Sequence, residues 1–172
     1  MAAAPCRRPS RLARVGACCA GRSANVARVT GCSRCGPSLT PVLAESVHWH
    51  VRLNLNQNLL GKLIIVLRRH VERAVELTPD EWSDLRHQVW LMTERLQAGF
   101  APDHFNYAFL QNQDRHVHLH VIPRYAGPRQ VAGLRFEDPD YPDHYAVPSP
   151  ARHLAPAVLD ELARRIGRDA AR

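Results

Sequence analysis

The sequence predicts an α+β fold in which an antiparallel β-sheet of about five strands carries helices packed on it. Three observations predict it. Two strand-like stretches precede one strongly amphipathic helix, two more follow it, and the connections between them are rich in turn residues. The 172 residues suffice for one domain with a substantial core.

The elements follow in order. In "VLAESVHWHVRLNLNQ" (42–57), Val47, Trp49, Val51, Leu53 and Leu55 share one parity, the pattern of a single long half-buried strand. "GKLIIVL" (61–67) is a short, nearly continuous apolar run with β-branched residues, as expected of a central strand. "NQNLLG" between them supplies turn residues and implies an antiparallel pair. A helix over 79–98 follows. Thr78 is its N-cap, Pro79 its first residue, and Asp80 and Glu81 sit at the positive end of its dipole. Trp82, Leu85, Val89, Met92 and Leu96 form one core-facing stripe, and Gly99 is placed to end the helix. "FNYAFLQN" and "HVHLHVIPRY" supply the later strands, closely joined at "QDR". Beyond Pro123 the chain turns irregular and polar until a last helix over about 155–168, striped by Val158, Leu162 and Ile166. Residues 31–172 are therefore read as a single domain with a proline-rich C-terminal extension and a terminal helix.

Residues 1–30 are Ala- and Arg-rich without hydrophobic periodicity. They read as a disordered leader, or as an organellar transit segment by composition. The seven arginines of residues 1–44, with no lysine or acid, account for the whole formal charge of +7. The rest of the chain has no basic excess, so no nucleic-acid partner is expected. No apolar run approaches the roughly 20 residues of a membrane helix, so no membrane partner is expected either. Of five cysteines, Cys6, Cys18 and Cys19 lie in the leader, Cys32 and Cys35 form "CSRC", and none follows. That distribution is unlike a disulfide scaffold and indicates a reducing, cytoplasmic setting.

"RHVHLHVIPRY" (115–125) carries the chemistry. Strand geometry puts His116, His118 and His120 on one face and Val117, Leu119 and Val121 on the other. Two chemistries use such a face. Histidines at i and i+2 can share a hydrolytic metal, or an imidazole can attack phosphorus and form a labile phosphoramidate.

"HVHLHVI" resembles the signature of the histidine triad (HIT) family of nucleotide hydrolases and transferases. Further agreement comes from "CSRC", "LGKLIIVLRRH" and the helix, in the family's order over residues 32–125. The resemblance implies the HIT-like fold and a nucleotide substrate cleaved at its α-phosphate through a nucleotidyl-histidine. His118 would be the nucleophile and His120 a phosphate contact. It further implies a structural zinc held by Cys32, Cys35, His70 and His116, and a homodimer, to which "VWLMTERLQAGF" would contribute. Asn54 matches a ribose contact, and Gln111, Asn112 and Arg124 are candidates for phosphate oxygens, Arg124 alternatively for a salt bridge. The sequence departs from the family at Lys62, which stands for a histidine, at Leu67, which stands for a proline, and at "QNQDR", which shortens the loop before the triad. Two rival readings are a metal-dependent hydrolase with the three histidines as ligands, and a nucleotide-binding HIT-fold protein with little catalysis. "FEDPDYPDHY", with Asp138, Asp140 and Asp143 near His144, reads as a solvated proline-rich loop.

Overall fold

Along β2 (Trp49–Leu53), buried Trp49, Val51 and Leu53 alternate with His50 and Arg52, and the whole sheet inherits this two-sidedness. The computed structural model describes residues 31–145 and 151–167, so the leader (1–30) lies outside the described residues. β1 (Val42–Glu45), β2, β3 (Leu63–Leu67), β4 (His104–Ala108) and β5 (His118–Arg124) form one antiparallel sheet in the order β1-β2-β3-β5-β4. Helices α1 (Pro79–Phe100) and α2 (Pro156–Ile166) complete the predicted α+β architecture. Among the described residues no helix is long and apolar enough to cross a membrane.

One face of the sheet, from Val51, Leu53, Leu63, Ile65, Leu119 and Val121, joins Leu85, Met92 and Leu96 of α1 and Leu159, Leu162 and Ile166 of α2 in a common core. The opposite face carries Arg52, Ile64 and His120 in one cross-strand row, and His50, Val66 and His118 in the next. Hydrocarbon burial therefore fixes which way the histidines point.

Several elements differ from the sequence expectation. Residues 42–57 are not one strand. They form a hairpin whose turn is pinned to α1, Asp84 Oδ2 accepting from Ser46 Oγ (2.7 Å) and from the His48 N–H (3.1 Å). Val47, on the expected buried parity, stands 81% exposed on this turn, and Leu55 is also exposed beyond the end of β2. Helix α1 continues past Gly99 to Phe100 and is closed by Ala101 in the left-handed region (φ 47°). Gly99 serves instead as a close approach, since a Cβ there would lie 3.1 Å from the Arg165 carbonyl oxygen of α2. Trp82 is 44% exposed, while Glu81 and Gln88 are buried on α1. Strand β5 passes through Pro123 because its pairing with β3 ends at Val121, where a missing N–H costs no ladder bond on that side. A second hairpin, β6 (Arg129–Val131) and β7 (Leu134–Phe136), turns through Ala132 and Gly133, both at positive φ, in the stretch expected to be irregular.

Glu81 is the polar anchor of the core. Its carboxylate accepts from the Thr78 N–H (2.8 Å) while Thr78 Oγ1 accepts from the Glu81 N–H (3.2 Å), completing a capping box. It also accepts from Arg69 Nη2 (2.8 Å), and its backbone carbonyl accepts from Trp49 Nε1–H (2.9 Å). The Arg69 hydrogen bond, helped by Thr78, holds the carboxyl down at about 2. A depressed carboxyl stabilises the fold above its ordinary value of 4.5 and ceases to do so as pH falls toward 2. Glu81→Ala should cost about 2 kcal/mol at pH 7 by urea unfolding. The gap to the wild type should narrow steadily below pH 4.5, and a pH-independent gap would contradict this account.

Candidate active site and metal centre

His116 lies just ahead of β5, and its ring is completely buried. Its Nε2–H donates to the Leu67 carbonyl (2.8 Å), which assigns the proton to Nε2 and leaves the Nδ1 lone pair free. Nδ1 faces Cys32 Sγ at 3.4 Å and Cys35 Sγ at 3.5 Å. Cys35 Sγ is also 3.5 Å from His70 Nδ1, and the four ligand atoms all lie within 4.8 Å of one another. Tetrahedral zinc, with bonds of about 2.3 Å to sulfur and 2.0–2.1 Å to nitrogen, spaces such donors about 3.6 Å apart. The donor set fits a closed four-coordinate ion. The loop that bears the cysteines is tied down beside it, Asp114 accepting from Ser33 Oγ (2.6 Å) and pairing with Arg34 (2.9 Å).

Two residues on, the His118 ring turns the other way. Its Nδ1–H donates to the His116 carbonyl at 2.6 Å, so its unprotonated Nε2 is the free nitrogen. His120 has the opposite tautomer, its Nδ1 accepting from Asn54 Nδ2 (3.2 Å) and its proton on Nε2. The two rings meet edge-on with centroids 5.0 Å apart. Burial is the main reason the His118 pKa falls to about 4, against the opposing pull of the His116 carbonyl. Burial first, then the charges of His118 and Lys62, bring His120 to about 3. Both imidazoles are therefore neutral at pH 7, one offering a lone pair and the other an N–H.

Lys62 lies close enough to His120 for its charge to be felt there, and its Nζ donates to Asn58 Oδ1 (2.7 Å). Burial lowers this ammonium to about 8. His118, His120, Asn54 and Lys62 thus converge, as do Cys32, Cys35, His70 and His116. Three other expected phosphate contacts are differently placed. Gln111 donates to the Glu72 carbonyl (2.7 Å), and Asn112 is exposed. Arg124 is buried and takes the salt-bridge role, bonded to Asp138 (2.6 Å), Asn106 (2.8 Å) and the Asp143 carbonyl (2.9 Å). Asp138 is correspondingly buried, so the loop expected to be solvated is anchored by it. Arg52 and His50, on the histidine face of β2, were not anticipated. Their signal was present in their alternation with Trp49, Val51 and Leu53.

An antiparallel sheet that buries two neutral histidines of opposite tautomer beside a Cys2His2 cluster defines a histidine-triad type of domain. The HIT domain family matches residues 40–127, and the chain belongs to that family. It is 32% identical to an uncharacterised HIT-like protein of Methanocaldococcus jannaschii, over 52% of this chain and 73% of that one. It is also 32% identical to a bis(5′-adenosyl)-triphosphatase of Dictyostelium discoideum, over 42% of this chain and 52% of that protein. A bis(5′-nucleosyl)-tetraphosphatase of Schizosaccharomyces pombe is 31% identical, with 42% of each covered. The chain thus spans about half the length of these two enzymes. Crystal structures of histidine triad proteins from Sinorhizobium meliloti and Marinobacter aquaeolei each superpose with a TM-score of 0.61 at 23% identity. Each covers 74% of this chain, and 87% and 85% of those chains respectively are matched.

The geometry of the cluster makes a direct prediction. Cys32→Ser and Cys35→Ser should each reduce bound zinc, measured by plasma mass spectrometry, to well under half the wild-type content. Their unfolding midpoints should fall by at least about 5 °C. His118→Ala should keep its full metal content, and loss of metal there would place His118 in the cluster.

Proposed function

We propose that this chain hydrolyses a phosphoanhydride at the α-phosphorus of a nucleotide by double displacement through His118. The observation that carries the reading is the 2.6 Å bond from His118 Nδ1–H to the His116 carbonyl, which leaves Nε2 as the nucleophile. Nε2 forms a bond to phosphorus as the bond to the leaving phosphate breaks. The His116 carbonyl supports the positive imidazole so formed, and His120 Nε2–H and Lys62 offset charge on the phosphoryl oxygens. Asn54, by holding His120 Nδ1, orients that donor, and resemblance makes it the ribose contact as well. Water then attacks phosphorus, the P–N bond breaks, and a nucleoside monophosphate, a proton and neutral His118 are released.

The leaving group follows from what lies beside the histidines. The shortened "QNQDR" loop contains no Ser or Thr, and its Asp114 is committed to Ser33 and Arg34. A departing phosphate needs no proton, whereas a departing amine does. Dinucleoside polyphosphates are therefore favoured over phosphoramidates, in keeping with the names of the Dictyostelium and Schizosaccharomyces relatives. A metallohydrolase built on all three histidines finds less support, because His116 Nδ1 faces the cysteines and His118 Nδ1 a carbonyl. Cys32, Cys35, His70 and His116 would hold zinc. A closed thiolate–imidazole site supplies cross-linking of the CxxC loop, the end of β3 and the start of β5. A homodimer is the assembly we favour. Among the described residues β4 is an edge strand, paired only with β5, and Tyr107 on it lies 3.2 Å from Thr93 of α1, whose Trp90 is 59% exposed.

His118→Gly should lower kcat/KM for a diadenosine polyphosphate by at least about 10³-fold. Turnover at the wild-type rate would refute the mechanism. The pH profile of kcat/KM should be flat from about 5 to 7 and fall through about 8, as Lys62 loses its proton and an anionic substrate loses a cation. Lys62→Arg, which stays protonated, should remove this alkaline limb, and an unchanged limb would assign it to another group.

A further inference from the structure

The cross-strand row that holds His120 continues through Ile64 to Arg52, so Arg52 stands on the triad's face two strands away, roughly 10 Å along the sheet. Only 8% of Arg52 is exposed, yet among the described residues its guanidinium has neither hydrogen bond nor ion pair. The nearest charges do not neutralise it. Asp114 is engaged by Ser33 and Arg34, and Arg34 is itself a cation. The partnerless nitrogens of Arg52 are not sealed off but open onto the adjoining space, and the group that suits them best there is an anion with two oxygens for the planar fork.

Arg52 lines a cavity of about 320 Å³. The loop following Cys35 forms one wall, and Glu45, His50 and Arg68 line the other beside Arg52. Arg68 is held loosely, with a long bond to the Ser46 carbonyl (3.4 Å) and Glu45 at 3.9 Å, and Glu45 is shared with His50 (3.1 Å). Two guanidinium groups therefore face one carboxylate across a space large enough for a phosphate and part of what bears it.

We propose that this cavity binds a second phosphate of the nucleotide substrate, with Arg52 as its principal ligand and Arg68 as its second. The inference rests on the nucleotide reading of the triad. The phosphate has two possible sources, the ribose of the nucleotide under attack or the far end of its polyphosphate chain. The site would select substrates with an anion about two strands from the reacting phosphorus, and the CxxC cluster would shape it by fixing its outer wall.

Calorimetric titration of the full chain tests this with adenosine 5′-monophosphate, adenosine 3′,5′-bisphosphate, adenosine 5′-triphosphate and inorganic pyrophosphate. In the wild type, the bisphosphate or the triphosphate should bind at least about tenfold more tightly than the monophosphate. Which of the two does so identifies the source. Arg52→Met, which keeps the aliphatic stem, should erase that gain and leave the monophosphate within about twofold. Its unfolding midpoint should be unchanged or higher, because a merely structural arginine would leave it lower. A gain that survives in Arg52→Met overturns the proposal, as does the absence of any gain in the wild type. Arg52→Met weakening guanosine 5′-monophosphate but not its adenosine counterpart also overturns it, in favour of base readout. If the monophosphate fails to bind, the nucleotide reading falls. Pyrophosphate binding that Arg52→Met abolishes would still establish the anion site, and its absence would dismiss it.

Discussion

The His116 imidazole is the constraint on which the remainder of the site depends. Through Nε2–H it is fixed to the last residue of β3, through Nδ1 it faces two cysteines from the N-terminal loop, and the backbone carbonyl of the same residue accepts a hydrogen bond from His118 Nδ1–H. A polar ring with no solvent exposure is tolerated only when both nitrogens are engaged, and here each engagement joins a different segment of chain. The orientation of the His118 ring is thus a consequence of how its neighbour is held. An ion in the Cys2His2 cluster would act at this same point, stiffening the loop that walls the sheet face and the carbonyl that orients His118.

Burial does the electrostatic work at the second level. The helix-covered face buries the hydrocarbon of β2, β3 and β5, and this forces His50, Arg52, His118 and His120 onto the other face. Once there, partial desolvation keeps His118 and His120 unprotonated, so His118 in the role proposed for it would need no general base at neutral pH. The same face carries cations, Lys62 beside His120 and Arg52 further along the row, the groups proposed to meet phosphate oxygens. The face thus combines neutral imidazoles with nearby cations, as the proposed attack on a highly charged substrate requires.

Much of this was legible in the sequence wherever a short periodic signal coincided with burial. The triad's alternation, the central apolar run of β3 and the Thr78-Pro79 helix start all reflect local rules that tertiary packing reinforces. The Cys2His2 set was legible only through the family's spacing, since nothing in "CSRC" itself brings it to His70 and His116, 35 and 81 residues from Cys35. What stayed hidden depended on partners distant in sequence. Parity across 42–57 continued through a turn that Asp84 of α1 creates. Gly99 resembled a helix terminator until α2 packed against it, and Arg124 resembled a phosphate ligand until Asp138 occupied its guanidinium. The alternation of β2 places Arg52 on the triad's face, but its burial is not legible there, because a charged residue on a half-buried strand ordinarily faces water.

The proposed role of His118 entails two successive displacements at one phosphorus, each with inversion. A substrate made chiral at the α-phosphorus by oxygen isotopes and sulfur distinguishes this from attack by water in one step. Hydrolysis by the intact chain should return the nucleoside phosphorothioate with configuration retained, because His118 inverts the centre once and water inverts it again. Net inversion would show a single displacement and contradict the covalent role assigned to His118.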